Sequence, residues 1–295
     1  MKKFLKNLLL AAAIWFIVMF LPLIVRTALW QGRAAEIFTL PPHTEVLCIG
    51  NSHTGCTWSD APAFAFHKEW RSGRGFLFAV LRLLEFERRG QLDGVKVCLM
   101  DCDRTARVGL SEKKIRQGYS EAFPLFWRYL GRAPLSRADL LTDAALKWFR
   151  KWPKPEKKDA RPSDKKAWTD RTDEERARNI AKEYAPEVWN ANRPVKDVDD
   201  LLFNLACVAQ EVCDRHGIRL ILFAAPVVSE NPERTQPEVY SRELDALIAR
   251  IRAAGIEYQD LRAACPDAWF RDAHHLSSAG ADAFTGEFCK KVLNR

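Results

Sequence analysis

No Cys-x-x-Cys pair occurs among the eight cysteines of this chain, and the six histidines show no metal-site spacing. The usual zinc signatures are missing, so the sequence implies neither a metal nor an organic cofactor. Helix-turn-helix, finger and aromatic RNA-binding patterns are lacking too. The formal charge of +8 therefore does not call for a nucleic-acid partner, and part of it is local. Lys2, Lys3 and Lys6 precede an apolar segment, and Lys147 to Arg178 is basic. Apolar residues (47%) and aromatics (11%) are not scarce, which excludes disorder as the default state. A length of 295 residues allows one large domain or two small ones.

Charge is absent from Leu8 to Val25. At ~1.5 Å per residue this run is just long enough to span a bilayer core with little tilt. Lysines before it place the N-terminus in the cytoplasm and the remainder outside. The rival is a cleavable signal peptide, whose apolar region runs only about 7–15 residues. No small-x-small cleavage site follows, since Arg33 takes the outer position before Ala35. The expectation is a cytoplasmic tail (1–7), a signal anchor (8–28), a linker (29–42) closed by Pro41-Pro42, and one domain (43–295). The chain is then single-pass in the inner (cytoplasmic) membrane, with a periplasmic C-terminal domain.

Export permits oxidation of cysteines. Cys48 and Cys98 lie in apolar runs and read as core residues. Cys56 and Cys102 each follow an expected strand, so a disulfide can join them if those strands are neighbours.

Strands are expected at Val46–Ile49, Val95–Met100, Ile218–Ala225 and Ile256–Leu261. Helices are expected at Gly75–Arg89, Val198–His216 and Pro237–Ala254, ended by Gly90, Gly217 and Gly255. A last helix, capped by Ser277 or Ser278, runs to about Leu293. In the first helix Phe76, Val80, Leu83, Leu84 and Phe86 form the apolar side, opposite Arg82, Glu85, Arg88 and Arg89. Residues 105–195 break this rhythm as a long insertion with scattered aromatics, including Trp127, Trp148, Trp168 and Trp189. Its stretch Lys151–Asp173 is charged, holds three prolines, and reads as a solvated loop. A sharper reading makes its tryptophans interfacial or sugar-stacking platforms beside an anionic polymer or lipid. The alternation β-α-β, insertion, α-β-α-β-α predicts a parallel sheet with helices on both faces and ligands at the carboxyl ends of the strands.

Two motifs fall there. Gly50-Asn51-Ser52-His53-Thr54 follows the first strand, and Asp272-Ala273-His274-His275-Leu276 precedes the last helix. Serine is a weak nucleophile until a base removes its proton. A carboxylate one turn before an imidazole can hold its Nδ1–H and leave Nε2 for Ser52. Ser52, His275 and Asp272 thus form a candidate triad, with His274 as a less well spaced rival base and His53 as a residue lining the site. Backbone N–H groups of the turn are candidate oxyanion donors, and Ser52, Asn51, His53 and His274 are the oxyanion or pocket candidates.

The first motif, with Asp272-x-x-His275-Leu276-Ser277-x-x-Gly280, resembles the SGNH (GDSL-type) hydrolase superfamily. Within it the chain most resembles the membrane-anchored, exported branch related to alginate and cell-wall O-acetylation proteins. The resemblance covers about 45–104 and 198–295. It implies a three-layer α/β/α flavodoxin-like fold, with Ser52 as nucleophile, His275 as base, Asp272 as its partner and the Ser52 N–H in the oxyanion hole. The expected substrate is an acyl ester, on a polysaccharide or lipid of the cell envelope, with water or a sugar hydroxyl as acceptor. A membrane-bound acyltransferase is a possible partner. Asn51 stands where such families carry aspartate, and no Gly-x-Asn-Asp block is present; Asn192, Asn204 and Asn231 lie outside any such block. The alternative is a non-catalytic envelope scaffold of the same fold that binds a glycan or that acyltransferase.

Overall fold

The computed structural model describes residues 38–59, 65–70, 75–108, 166–184 and 197–292, together with Leu21 and Val25. Five parallel strands, β1 (Val46–Gly50), β2 (Phe66–Trp70), β3 (Val97–Asp101), β4 (Arg219–Ala224) and β5 (Glu257–Asp260), form one sheet in the order β2-β1-β3-β4-β5. The helices are α1 (Ser52–Thr57), α2 (Phe76–Arg88), α3 (Arg104–Val108), α4 (Asp173–Tyr184), α5 (Val198–Arg215), α6 (Pro232–Thr235), α7 (Pro237–Tyr240), α8 (Arg242–Ala253) and α9 (Ser278–Val292).

The central strands are apolar on both sides, as a sheet covered on both faces requires. Leu47, Ile49, Cys98, Met100, Leu220 and Leu222 pack with α2, α5 and α8 on one face. Val46, Cys48, Val97, Leu99, Ile221 and Phe223 pack with Trp58 and with Phe284 and Phe288 of α9 on the other. This is the expected three-layer α/β/α architecture. Successive strands reverse direction of travel at β1/β3: the chain leaves β1 toward β2 and leaves β3 toward β4. A crevice opens at the carboxyl ends of such a pair.

Four features differ from the sequence expectation. The sheet has a fifth strand, β2, with the sequence Phe-His-Lys-Glu-Trp. It is half-buried at the sheet edge, where apolar residues are not demanded, so hydrophobicity did not mark it. In α2, Arg82 and Glu85 are buried rather than solvated. Arg82 pairs with Glu69 of β2 and lies over the Phe78 ring, while Glu85 accepts hydrogen bonds from Arg88 and Arg89. The end of the expected linker causes part of this, because Phe38 is buried against Phe86 and covers that side of the helix. The helix expected over 237–254 is broken at Ser241, whose hydroxyl is buried and donates to the Glu233 carbonyl.

The fourth correction concerns the insertion. Lys166–Tyr184 is described, and Trp168 is 1% exposed in the second core rather than a surface platform. Its backbone N–H donates to the Phe270 carbonyl, and the Arg171 guanidinium donates to the Arg271 carbonyl. The other insertion tryptophans lie outside the described residues, as do the tail, most of the anchor and most of the linker. Leu21 and Val25 are helical and exposed. Among the described residues no helix is long and apolar enough to cross a membrane. All eight cysteines are thiols; Cys56 and Cys102 are each buried.

Truncating Trp168 tests the docking of the insertion. Trp168→Ala should cost about 3–5 kcal/mol of stability, the usual range for a large aromatic lost from a core. Equilibrium urea unfolding measures it; a loss under about 1 kcal/mol would place the insertion outside the core.

Candidate active site

The turn after β1 is built on two carboxylates at the end of β3. Asp101 and Asp103 are 2% and 3% exposed. Asp101 accepts the Asn51 N–H (3.2 Å) and the Thr54 hydroxyl (3.1 Å). The Asn51 side chain caps α1 by accepting the His53 N–H at 2.7 Å, and its amide donates to Thr105 at 2.6 Å. These bonds satisfy orphan groups at a helix start and fix its direction. Gly50 serves here through close approach: a Cβ at this position would stand 1.6 Å from Asp101 Oδ1. Its φ is not in the left-handed region, so glycine is needed for space rather than for a sharp turn.

Ser52 opens α1 and is half-buried. His53, next in the chain, is buried, with Nδ1 2.5 Å from Asp103 Oδ2. Asp103 is itself fixed by the N–H and hydroxyl of Thr105. Burial alone would lower the His53 pKa, but the charge and hydrogen bond of Asp103 outweigh it and raise it to about 9. His53 is thus an imidazolium at neutral pH. The Asp101 carboxyl is pushed well up by burial, with the Asp103 charge adding to it.

The second motif lies in a narrow loop between the short 3-10 turn Asp267–Trp269 and α9. Phe270 and Leu276 bridge antiparallel, and the Arg271 N–H donates to the His275 carbonyl. Ser277 Oγ accepts the Gly280 N–H at the start of α9. The Val228 N–H and the Asn231 amide both donate to the Ala273 carbonyl. Within this clamp Asp272 accepts the backbone N–H groups of His274 and His275. His275 Nδ1 stands 3.0 Å from each Asp272 oxygen. Burial would raise the Asp272 pKa, but His275 holds it well below the usual carboxylate range. Burial lowers the pKa of His275 and lowers that of His274 further. His275 is therefore neutral, with Nε2 buried and without a hydrogen-bond partner among the described residues.

The two motifs meet. The His53 ring centroid is 5.4 Å from that of His275 and 5.1 Å from that of His274. Ser52 is thus brought to the same end of the sheet as Asp272 and His275, although no hydrogen bond joins it to His275. Asn231 is not an oxyanion donor: its oxygen accepts from Tyr184 and Glu233, and its amide is taken by Ala273. Asn204 is exposed on α5, and Asn192 lies outside the described residues.

Residues the sequence reading did not assign complete the floor. The hydroxyl of Tyr184, from the insertion, stands 2.8 Å from Asn231 Oδ1 and 2.7 Å from Glu233 Oε1 and donates its one proton between them, and the Arg104 guanidinium stacks on its ring at 4.0 Å. Asp101-Cys102-Asp103 stood visibly at a strand end, the one sequence signal that pointed here. A shallow concavity of about 550 Å³ lies along α4, lined by Asp173, Arg176, Ile180 and Glu230, and includes none of the triad candidates.

No family model matches the sequence, and no curated protein does. Among solved structures the chain is similar to a GDSL-like lipase from Bacteroides thetaiotaomicron VPI-5482, at TM-score 0.44 and 12% identity over 91% of this chain and 98% of that one. It is also similar to a putative acylhydrolase from Bacteroides fragilis NCTC 9343, at TM-score 0.41 and 12% identity over 90% and 93%.

The three histidines set a pH optimum for folding. The folded pKa of His53, about 9, exceeds its ordinary value of 6.5, so its contribution is complete below about 6.5 and lost as pH rises through about 9. His274 and His275 are depressed, so theirs is complete above about 6.5 and lost as pH falls. Stability from urea unfolding should be greatest near pH 6.5, and Asp103→Asn should flatten the alkaline limb. An unchanged alkaline limb in that variant would contradict the His53–Asp103 pairing.

Proposed function

We propose that this chain is a serine esterase or O-acyltransferase that works through Ser52, His275 and Asp272. The observation that carries it is the state of His275. Its Nδ1 is held by both oxygens of the half-buried Asp272 carboxylate, Nε2 is buried with no hydrogen-bond partner among the described residues, and its ring lies 5.4 Å from that of His53, the residue next to Ser52. An imidazole in that tautomer is a general base awaiting a hydroxyl proton.

In this mechanism His275 Nε2 takes the Ser52 proton as Oγ adds to the acyl carbonyl. Asp272 stabilises the imidazolium that results. The developing oxyanion lies near the start of α1, with the Ser52 N–H as a donor and the His53 imidazolium as adjacent positive charge. His275 then protonates the departing alcohol as the ester bond breaks, leaving acyl-Ser52. Water or a sugar hydroxyl, deprotonated by His275, takes the acyl group and restores the serine. The basic stretch Lys147–Arg178 and the apolar stretch after Lys6 support an envelope glycan or lipid ester as substrate and export on an N-terminal anchor.

One observation favours the second reading, a non-catalytic scaffold that binds a glycan or a membrane acyltransferase. Among the described residues the side-chain amides of Asn51 and Asn231 are already engaged, which leaves neither of them for an oxyanion. A fluorophosphonate probe separates the two. The wild-type chain should label, and Ser52→Ala should abolish labelling. Asp272→Asn should slow it by about 10⁴-fold and His275→Ala by about 10⁶-fold, as loss of the corresponding triad member does. A folded wild type that does not label would leave the scaffold reading standing.

A further inference from the structure

The fold assembles three histidines that the sequence keeps apart. His53 follows β1, and His274 and His275 precede α9, yet one ring nitrogen from each lies within 4.8 Å of the other two. These are half of the six histidines in the chain. Two of them carry the outer support typical of metal-bound imidazole. A ligating histidine usually presents its other ring nitrogen to a carboxylate, which fixes ring orientation. Here His53 Nδ1 is held by Asp103, and His275 Nδ1 by Asp272. Each ring is thereby left with Nε2 for a ligand, that of His53 once its proton is lost, and His275 Nε2 is buried with no hydrogen-bond partner among the described residues.

His274 supplies the adjustable third ring. Its ion-pair contacts are long, 3.8 Å to Glu183 and 3.9 Å to Asp272. Tetrahedral zinc with Zn–N of about 2.0–2.1 Å separates ligand nitrogens by roughly 3.3 Å. The required closure is at most about 1.5 Å per pair, within reach of small side-chain rotations. Three imidazoles with one open position, His53 having given up its Nε2 proton, suit zinc and similar divalent transition cations and do not suit magnesium or calcium, which take oxygen ligands.

We propose that His53, His274 and His275 form a binding site for a divalent transition cation of the zinc class, and that its occupancy blocks His275 from acting as base. The cation takes the Nε2 lone pair that Ser52 deprotonation requires, and displaces the Nε2 proton of His53 to solvent. The blocking half of this proposal rests on the serine-hydrolase reading. The binding half does not.

The test uses the full chain without a polyhistidine tag, stripped with a chelator. Equilibrium dialysis should find one zinc per chain. His53→Ala and His274→Ala should each weaken it by more than the roughly 10–100-fold that loss of an outer-shell partner costs. His216→Ala, far from the cluster, should leave it unchanged. Cobalt(II) substitution should give tetrahedral visible bands without thiolate charge transfer, which reads the site in the wild type even if a variant misfolds. Saturating zinc should suppress fluorophosphonate labelling of Ser52, and chelator should restore it. Failure to bind zinc, binding that survives loss of His53 and His274, a thiolate cobalt spectrum, or labelling indifferent to zinc would each overturn the proposal. A stripped chain that binds zinc at these histidines but never labels would overturn the hydrolase reading instead.

Discussion

The candidate site hangs on two carboxylates at the carboxyl end of β3. Asp101 and Asp103 leave the sheet beside β1 and are taken out of water almost completely. A buried carboxyl group, ionised or not, is costly unless its oxygens are hydrogen-bonded. Those of Asp101 are satisfied by the Asn51 N–H and the Thr54 hydroxyl, and those of Asp103 by His53 and Thr105. The turn after β1 therefore has one conformation in which this need is met, and that conformation sets Ser52 at the start of α1. Gly50 belongs to the same constraint, since a side chain there would occupy the place of the Asp101 carboxylate.

The second half of the site is positioned by different means. The loop from Phe270 to Leu276 is short and polar, and its carbonyls are held from outside by Trp168, Arg171, Val228 and Asn231. Two of those four residues come from the insertion, which is therefore part of the support of the site as well as of the core. The two halves carry opposite electrostatic settings. His53 is kept charged by Asp103, while His275 is kept neutral by burial, and the charge on His53 lowers it further. Imidazoles pushed apart in this way can hold different roles at one pH.

Much of this was legible in the sequence where apolar periodicity was strong. The four apolar strands, the helix α5 ended by Gly217 and the helix α9 capped by Ser277 follow from local pattern. The edge strand β2 was hidden because His67, Lys68 and Glu69 give it no apolar run. Arg82 and Glu85 read as a solvated face because Glu69, the partner of Arg82, and the cover from Phe38 are set by tertiary packing, while the local partners of Glu85, Arg88 and Arg89, fit a solvated face equally well. Within the site, Asp272 and His275 were visible as a local pair, but the His53–Asp103 pair spans 50 residues and has no spacing signature. The same holds for the meeting of His53 with His274 and His275, which exists only once β1 and the loop before α9 share one end of the sheet.

Nitrogen-15 histidine NMR of the ring nitrogens at neutral pH tests the central claim most directly, with each signal assigned by a single His→Gln substitution. The account predicts a doubly protonated His53 and a neutral His275 with its proton on Nδ1 and a bare Nε2. A neutral His53 would contradict the pairing with Asp103, and a His275 with the proton on Nε2 would contradict its role as base, because that nitrogen would then have no lone pair for the Ser52 proton.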